Sequence, residues 1–498
     1  MVQESLFGAL EILVTWPTAG WLLVGLLAGI IIGTIPGLGP NLGLAVVLPL
    51  TMRLDGPDAI ILLISIYSGA MYGGSIAAIL INTPGTAAAA ATTLDGYPMT
   101  RQGRAMDALS ISATASAVGG AFAIVTLILL TPFLTTIVLM FGSPEYFLIA
   151  LFGIALITIV AQGSMVKGLT AGAFGLLLST IGFPVAAGQP RYTFDTFILY
   201  DGLDFVAVLI GIFAVGEMIK LAGEKGSLAN KDLSLSGNVL SGVRKVLSAP
   251  ITTIKSGYIG MFIGAIPGSG ASISNFISYA EAVRSGGGDK EYGDGNHRGV
   301  IASEASNNGT VAGSLIPTFS FGIPGSGATA ILLGGLMMHG LRPGPELFTD
   351  NVDITYSIFL ALLAGNVVIL LFGLLIITRA VYITTIDTDY IIPVVIAVAS
   401  LGAFGLRGSW LDVFTVLVFG IFGFFMMKHN YSIIAFVLGI VLGPIAEENL
   451  VRSLQLSEGS LWIFVNEPIP LVLTLLTVAV IASPILTVIR SAVSGGDR

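Results

Sequence analysis

Gly29 to Asn41 reads GIIIGTIPGLGPN, and Gly260 to Ser272 reads GMFIGAIPGSGAS. A constant offset of 231 lays Gly33 on Gly264, Pro36 on Pro267, Gly37 on Gly268 and Gly39 on Gly270. A second interruption follows each copy: Asn82-Thr83-Pro84-Gly85-Thr86 in the first half, and Gly322-Ile323-Pro324-Gly325-Ser326-Gly327 in the second. Each half therefore carries two Pro-Gly breaks inside apolar sequence. In hydrocarbon such a break exposes N–H and C=O groups that lipid cannot satisfy, so it must be buried in protein or line a wet cavity. Paired breaks at matching places in two halves point to a transporter's binding site.

The surrounding composition is that of a membrane protein. Of 498 residues, 54% are hydrophobic and 10% charged, with a mean hydropathy of +0.94, against about 25% charged in a typical soluble domain. This predicts an all-α polytopic membrane protein with no soluble domain. Glu4 and Glu11 stand where a signal peptide carries basic residues, so a cleavable signal is not expected. The absence of cysteine excludes disulfides, thiolate metal sites and cysteine nucleophiles. His297, His339 and His429 are too scattered for a zinc cluster, and a net charge of −8 without a basic tract argues against nucleic acid. The 64 glycines suit helices that approach closely.

Along the chain, residues 1–17 are expected to form a short interfacial helix, with Trp16 and Trp21 as headgroup anchors. Gly20 to Ile35 and Leu42 to Met52 are apolar arms of 16 and 11 residues. Both fall short of the roughly 20 residues a spanning helix needs. They predict a re-entrant hairpin with its tip at Pro36 to Asn41. Ile60 to Ile81 stops at Thr83-Pro84-Gly85 and resumes through Leu94, a broken helix closed by a polar loop from Asp95 to Asp107. Spans near 108–131, 133–162, 166–181 and 205–222 complete a first repeat, residues 18–222. A cytoplasmic linker at 223–250 follows from the excess of Lys and Arg between Lys220 and Ser256. The second repeat, 251–490, replays the hairpin and the broken helix, with further spans near 354–378, 391–405, 411–427, 431–446 and 470–490, and 491–498 is left as a tail. Inverted repeats are favoured over parallel ones, although the loops 182–204 and 443–468 are both acidic.

The breaks nominate the site. Pro36, Gly37, Gly39 and Pro40, with Pro267, Gly268, Ser269 and Gly270, would let backbone approach a ligand, and the following half-helices would offer N–H groups and a positive dipole end to an anion. Pro84, Gly85, Pro324, Gly325 and Gly327 do the same at the second breaks. Around them lie uncharged polar groups: Asn41, Asn82, Thr83 and Thr86 in one half, Ser272, Asn307, Asn308, Thr310 and Ser326 in the other. Asn41, Asn82, Ser272 and Asn308 are candidate sodium ligands. A packing turn, or hydrogen bonding between helices, is the other reading of each such residue. Duplication at matched spacing favours the ligand site. Glu304, in the run Ser303 to Asn308, would bind a coupling cation or carry a proton, or else lie at the helix's membrane boundary, paired with Arg298 or simply wet. Lys167, Glu217, Glu281 and Lys428 lie at span ends, where snorkelling accounts for them.

Enzyme motifs are missing. Ala271 stands where a Walker loop needs lysine, GxGxxG fails after Gly270, and neither GxSxG nor HExxH occurs. A passive anion channel is the main alternative to a transporter, and a membrane enzyme is weaker still.

GTIPGLGPN (33–41), YGGSIAAILINTPGTAAAAATTLDGYP (72–98), GAIPGSGASIS (264–274), EASNNGTVAGSLIPTFSFGIPGSGATAILLGG (304–335) and HGLRPGP (339–345) together resemble the large membrane subunit, of twelve-helix type, of bacterial tripartite tricarboxylate transporters. The resemblance covers nearly the whole chain. It implies a bacterial cytoplasmic-membrane subunit that works with a small four-helix membrane subunit and a periplasmic solute-binding protein delivering a carboxylate. It also implies secondary symport driven by an ion gradient, commonly Na+ with H+ as the other possibility, and no cofactor. No Arg or Lys lies inside the four breaks, so carboxylate recognition would rest on backbone N–H groups, Asn and hydroxyls. An elevator-like motion is expected by analogy with other hairpin-bearing transporters.

Overall fold

Gly25, Gly29 and Gly33 recur every four residues, one per turn along one helix face. The computed structural model, which describes residues 2–160, 164–184, 188–223, 236–268, 270–375 and 390–494, shows what that face does. Helix α2 (Thr18–Thr34) lies directly on α4 (Gly56–Ile81). A Cβ on Gly29 would stand 2.4 Å from the carbonyl of Ile66, and one on Gly33 2.2 Å from that of Ala70. Backbone meets backbone, the association small residues provide where lipid gives helices no hydrophobic reason to pair.

The same contact recurs in the second half. There α12 (Pro250–Gly264) lies on α14 (His297–Phe321), with Gly260 against Ser306 and Gly264 against Thr310. From Gly29 to Gly260 and from Gly33 to Gly264 the step is 231 residues; from Ile66 to Ser306 and from Ala70 to Thr310 it is 240. Each pair is also entered by a sharp bend. Helix α1 (Val2–Val14) meets α2 at 72°, and α11 (Val239–Leu247) meets α12 at 80°.

Between these pairs run α3 (Pro40–Val47), α5 (Ala90–Arg101), α6 (Ala105–Leu139), α7 (Ser143–Val160), α8 (Met165–Ser179), α9 (Phe205–Ile210) and α10 (Gly216–Gly223). Helices α13 (Gly270–Ser285), α15 (Gly327–Met338), α16 (Pro345–Phe348) and α17 (Val352–Leu375) follow, then Ile391–Arg407, Trp410–Lys428, Ile433–Leu456 and Pro468–Ser494. Among the described residues there is no strand beyond a single bridge between Gly182 and Arg191. Among the described residues, six helices are long and apolar enough to cross a membrane, or up to eight if each bent pair is one span. The chain is an all-α, multi-pass membrane protein. Leu129, Phe133, Leu401, Phe414 and Leu475 are exposed on its outer surface, as lipid-facing positions require.

Several sequence expectations shift. One continuous helix, α6, replaces the predicted break near residue 132 and carries Pro132 in its interior. Proline is tolerated in membrane helices because neighbouring groups re-satisfy the freed backbone. The predicted polar loop from Asp95 is helical as far as Arg101. At the N-terminus, α1 lies along α17, and Gly8 faces the Asp353 carboxylate. Of the expected linker, 224–235 lie outside the described residues, and 236–250 contain α11, which packs on α6. Residues 495–498 of the expected tail also lie outside them.

Candidate functional site

Both helix interruptions are built alike. Helix α4 ends on Asn82 at φ 55° and α14 on Gly322 at φ 67°, both left-handed. Glycine and asparagine are the residues that enter this region at least cost. Proline two residues later, at 84 and 324, prevents the helix from resuming at once. A hydroxyl then restarts it: Thr86 Oγ1 accepts from the N–H of Ala89, and Ser326 Oγ accepts from that of Thr329. At the hairpin tips, Gly37 (φ 82°) and Gly268 (φ 75°) are both left-handed. Gly39 instead is extended, at φ −88° and ψ −179°, and Pro40 opens α3.

Tips and breaks touch in a closed ring. A Cβ on Gly39 would stand 3.9 Å from the Gly85 carbonyl, which joins the first tip to the first break. A Cβ on Gly327 would stand 2.7 Å from Asn41 Nδ2, joining the first tip to the second break. The N–H of Gly268 donates to the Gly325 carbonyl at 3.1 Å, joining the second tip to the second break. Asn275, on the helix after the second tip, donates from Nδ2 to the Ala88 carbonyl at 2.9 Å and closes the ring on the first break.

At the centre of this ring is a cavity of about 390 Å³, within the range of small-molecule sites. Gly37, Gly39, Pro40, Asn41, Pro84, Gly85, Thr86, Ser272, Ser326 and Gly327 line it. Residues Pro36, Asn82, Thr83, Pro267, Gly268, Gly270, Pro324 and Gly325 shape the turns without lining it, and Ser269 lies outside the described residues. Of the four candidate sodium ligands, Asn41 and Ser272 line the cavity. Asn82 is the left-handed cap, and Asn308 donates to Asn366 Oδ1 at 3.1 Å. Asn307 stands one layer behind, donating to the carbonyl of Met71, a lining residue, at 3.0 Å. Thr310 shares a 2.7 Å hydrogen bond with Ser274. A larger groove of about 690 Å³ runs along the exposed face of α12 past Ile251, Ile254, Tyr258 and Phe262. Its wall is apolar apart from Lys255 and Tyr258, so it lacks the convergent polar groups of a ligand site and suits lipid instead.

Glu304 occupies a second polar centre apart from the cavity. It is fully buried on α14, not wet at a boundary. One carboxylate oxygen accepts from Thr92; the other accepts from Ser112 at 2.9 Å and Ser116 at 3.0 Å. Among the described residues its partners are hydroxyls, and no lysine, arginine or histidine pairs with it. The buried hydroxyl of Tyr72 nearby has no hydrogen-bond partner among the described residues.

Three features were missed from sequence. Tyr67 and Met71 of α4 line the cavity beneath the first break, where an apolar run gives no hint of a wall. Glu217 and Lys220 line it too, although position alone placed both near the end of the span 205–222. The available signal was a pair of glycines, Gly211 and Gly216, spaced inside one span. Asp95 is fully buried: its Oδ1 accepts from the N–H groups of Gly293, Gly295 and Asn296 at 2.9, 2.9 and 2.7 Å, and its Oδ2 from Tyr279 at 2.9 Å.

The chain has a relative of matching length and a shorter one. It is 33% identical over 473 residues to an uncharacterized 52.8 kDa protein in the TAR-I ttuC' 3'region of Agrobacterium vitis, covering 95% of this chain and 94% of that one. An uncharacterized protein in the TAR-II ttuC' 3'region of the same organism is 30% identical over 232 residues, 47% of this chain and 96% of its own length. No solved structure matches. The description of the tripartite tricarboxylate transporter TctA family matches residues 20–438, a span that holds all four Pro-Gly breaks and every residue around the cavity. With that span accounted for, the chain belongs to the tripartite tricarboxylate transporter TctA family, as a multi-pass membrane subunit of a transporter and not an enzyme.

Proposed function

We propose that this chain is the permease of a binding-protein-dependent secondary transporter, and that it imports di- or tricarboxylates through the cavity ringed by its four Pro-Gly breaks. The observation that carries this reading is the convergence of all four breaks on one cavity, with the first residues of α3, α13 and α15 in its wall. The first N–H groups of a helix have no partner within it, and the helix end carries partial positive charge. Three such ends around one space make an anion site. Asn41, Thr86, Ser272 and Ser326 add side-chain hydrogen bonds.

Coupling to an ion gradient, Na+ first and H+ second, follows from the same chemistry. Hydroxyls, amides and carbonyls are the ligands of hard monovalent cations, and the hydroxyl-lined carboxylate of Glu304 is a second place where positive charge would be welcome. Alternating access moves the ring of breaks relative to the rest of the bundle. The small membrane subunit and the periplasmic binding protein are the partners, in the bacterial cytoplasmic membrane.

The test is uptake of labelled citrate into proteoliposomes holding this chain, its small subunit and the binding protein, with and without an inward Na+ gradient. Accumulation that needs both gradient and binding protein is expected. Uptake that only equilibrates under every imposed gradient would replace the transporter with a channel.

A further inference from the structure

The breaks supply partial charges, but the cavity also borders one full positive charge. Of the residues lining it, Glu217 and Lys220 are the ones that carry charge, both on α10. Lys220 Nζ stands 3.7 Å from Glu217 Oε2, with the two side chains 47% and 29% exposed. Their neighbour Met218 is fully buried.

A local defect in the helix aims them. Between α9 and α10 the chain makes a π turn over Gly211–Val215. Such a turn holds one residue more than an α turn, so each later residue takes the angular position its predecessor would hold in an unbroken helix, a lag of about 100°. Glu217 and Lys220 thus stand where Gly216 and Ile219 would otherwise be. Glycines on both sides make room for the wide turn. A Cβ on Gly211 would meet the Val416 carbonyl at 2.7 Å, and one on Gly420 would meet Val215 Cγ1 at 2.4 Å. The segment also touches the ring directly: Phe213 packs against Gly327, and Leu221 against Gly37. π turns are rare and occur often at functional sites.

We propose that Lys220 sets the specificity of this cavity for substrates with at least two carboxylates. One carboxylate sits at the half-helix N-termini, and a second takes the Lys220 ammonium in place of Glu217. The inference rests on the cavity being the substrate site. Charge balance favours it: three helix ends at about +0.5 each match roughly one carboxylate and part of another. Glu217 and Lys220 cancel one another as they stand. A substrate carboxylate that displaces Glu217 recovers a full positive charge.

The experiment measures carboxylate binding to the purified membrane subunits in detergent by titration calorimetry, without the binding protein, which would impose its own selectivity. Citrate, succinate and propionate are the probes, and thermal unfolding of each variant checks its fold. Wild type should prefer citrate and succinate to propionate. Lys220→Gln should weaken citrate and succinate by roughly tenfold or more, as loss of a charged hydrogen bond does, and leave propionate unchanged. Lys220→Arg should restore most of the affinity, and Glu217→Gln should tighten citrate. A folded Lys220→Gln that keeps both citrate affinity and the preference for two carboxylates overturns the proposal. A folded wild type that binds none of the three overturns the cavity reading itself, and this inference with it.

Discussion

At the first break α4 ends on Asn82, and the chain passes through a 3-10 turn at Ala87–Ala89 into α5; at the second, α14 ends on Gly322 and α15 starts directly from Ser326. Turn, proline and hydroxyl cap are shared, while the resumed helices have diverged. The residues of α15 from Gly327 to Leu336 are all buried. Helix α5 is more polar and carries Asp95, which clasps a loop of the other half. The residue 240 positions on from Asp95 is Gly335, packed against Leu63. One geometry at the cavity is thus combined with two structural duties behind it: a wedge in the core on one side, a clasp between halves on the other.

The sharpest way to break this comparison is steric. A Cβ on Gly85 would stand 2.1 Å from the Gly33 carbonyl, whereas one on Gly325 would stand 2.9 Å from Ser314 Cβ and 3.1 Å from the Gly264 carbonyl. Overpacking costs about 1–3 kcal/mol. Gly85→Ala should reach or exceed the top of that range because backbone cannot step aside, and Gly325→Ala should stay in its lower part. Midpoints of thermal unfolding in detergent report this directly, and equal losses would show the two breaks to be equally tight.

Next in size is the clasp. Asp95→Asn removes a charge that accepts three backbone N–H groups and should cost roughly 1.5–3 kcal/mol. Amide hydrogen exchange should quicken at Gly293, Gly295 and Asn296 while the protection of α15 is unchanged. Exchange rising equally in both places would mean that clasp and wedge form one unit.

A smaller effect separates the caps. Ser326 belongs to a reciprocal capping box with Thr329, and Thr86 makes a single cap bond. Cap removal typically costs about 1 kcal/mol, so Ser326→Ala should destabilise more than Thr86→Ala, as read from unfolding midpoints. The reverse order would place more of the load on the first break.

The smallest concerns acid. Burial pushes the Asp289 carboxyl up, but hydrogen bonds from His297 and Lys245 outweigh it and hold the group below the usual carboxylate range. The folded value is depressed, so the stability it contributes is full above the ordinary aspartate value, about 3.9, and is lost as pH falls through the folded value. Exchange protection of the loop 286–296 should therefore hold from neutral pH to about 4 and weaken below it. Asp289→Asn should remove that dependence.

The breaks were legible because glycine and proline in an apolar run have few other uses, and their duplication fixed which residues correspond. The ring they form was not legible, since contacts such as Gly268 to Gly325 depend on how four segments meet in space. Asp95 read as loop because a lone carboxylate in a polar stretch gives no sign that three N–H groups await it some 200 residues later. Pro132 read as a boundary because its tolerance depends on the surrounding helices. Glu217 and Lys220 were misplaced because charges near the end of an apolar span are ordinarily accounted for by snorkelling, and the π turn at Gly211–Val215 that shifts the face they occupy has no sign in an apolar run beyond its glycines.

The clasp also dictates an order of synthesis. Three donors to Asp95 lie 198 to 201 residues downstream of it. While the first half is emerging into the bilayer, this carboxylate must stay hydrated or protonated, and α5 cannot settle into its final place. The last step of the first half's assembly therefore waits for the second half, and a ribosome that stops between them leaves an unlatched intermediate for quality control to find.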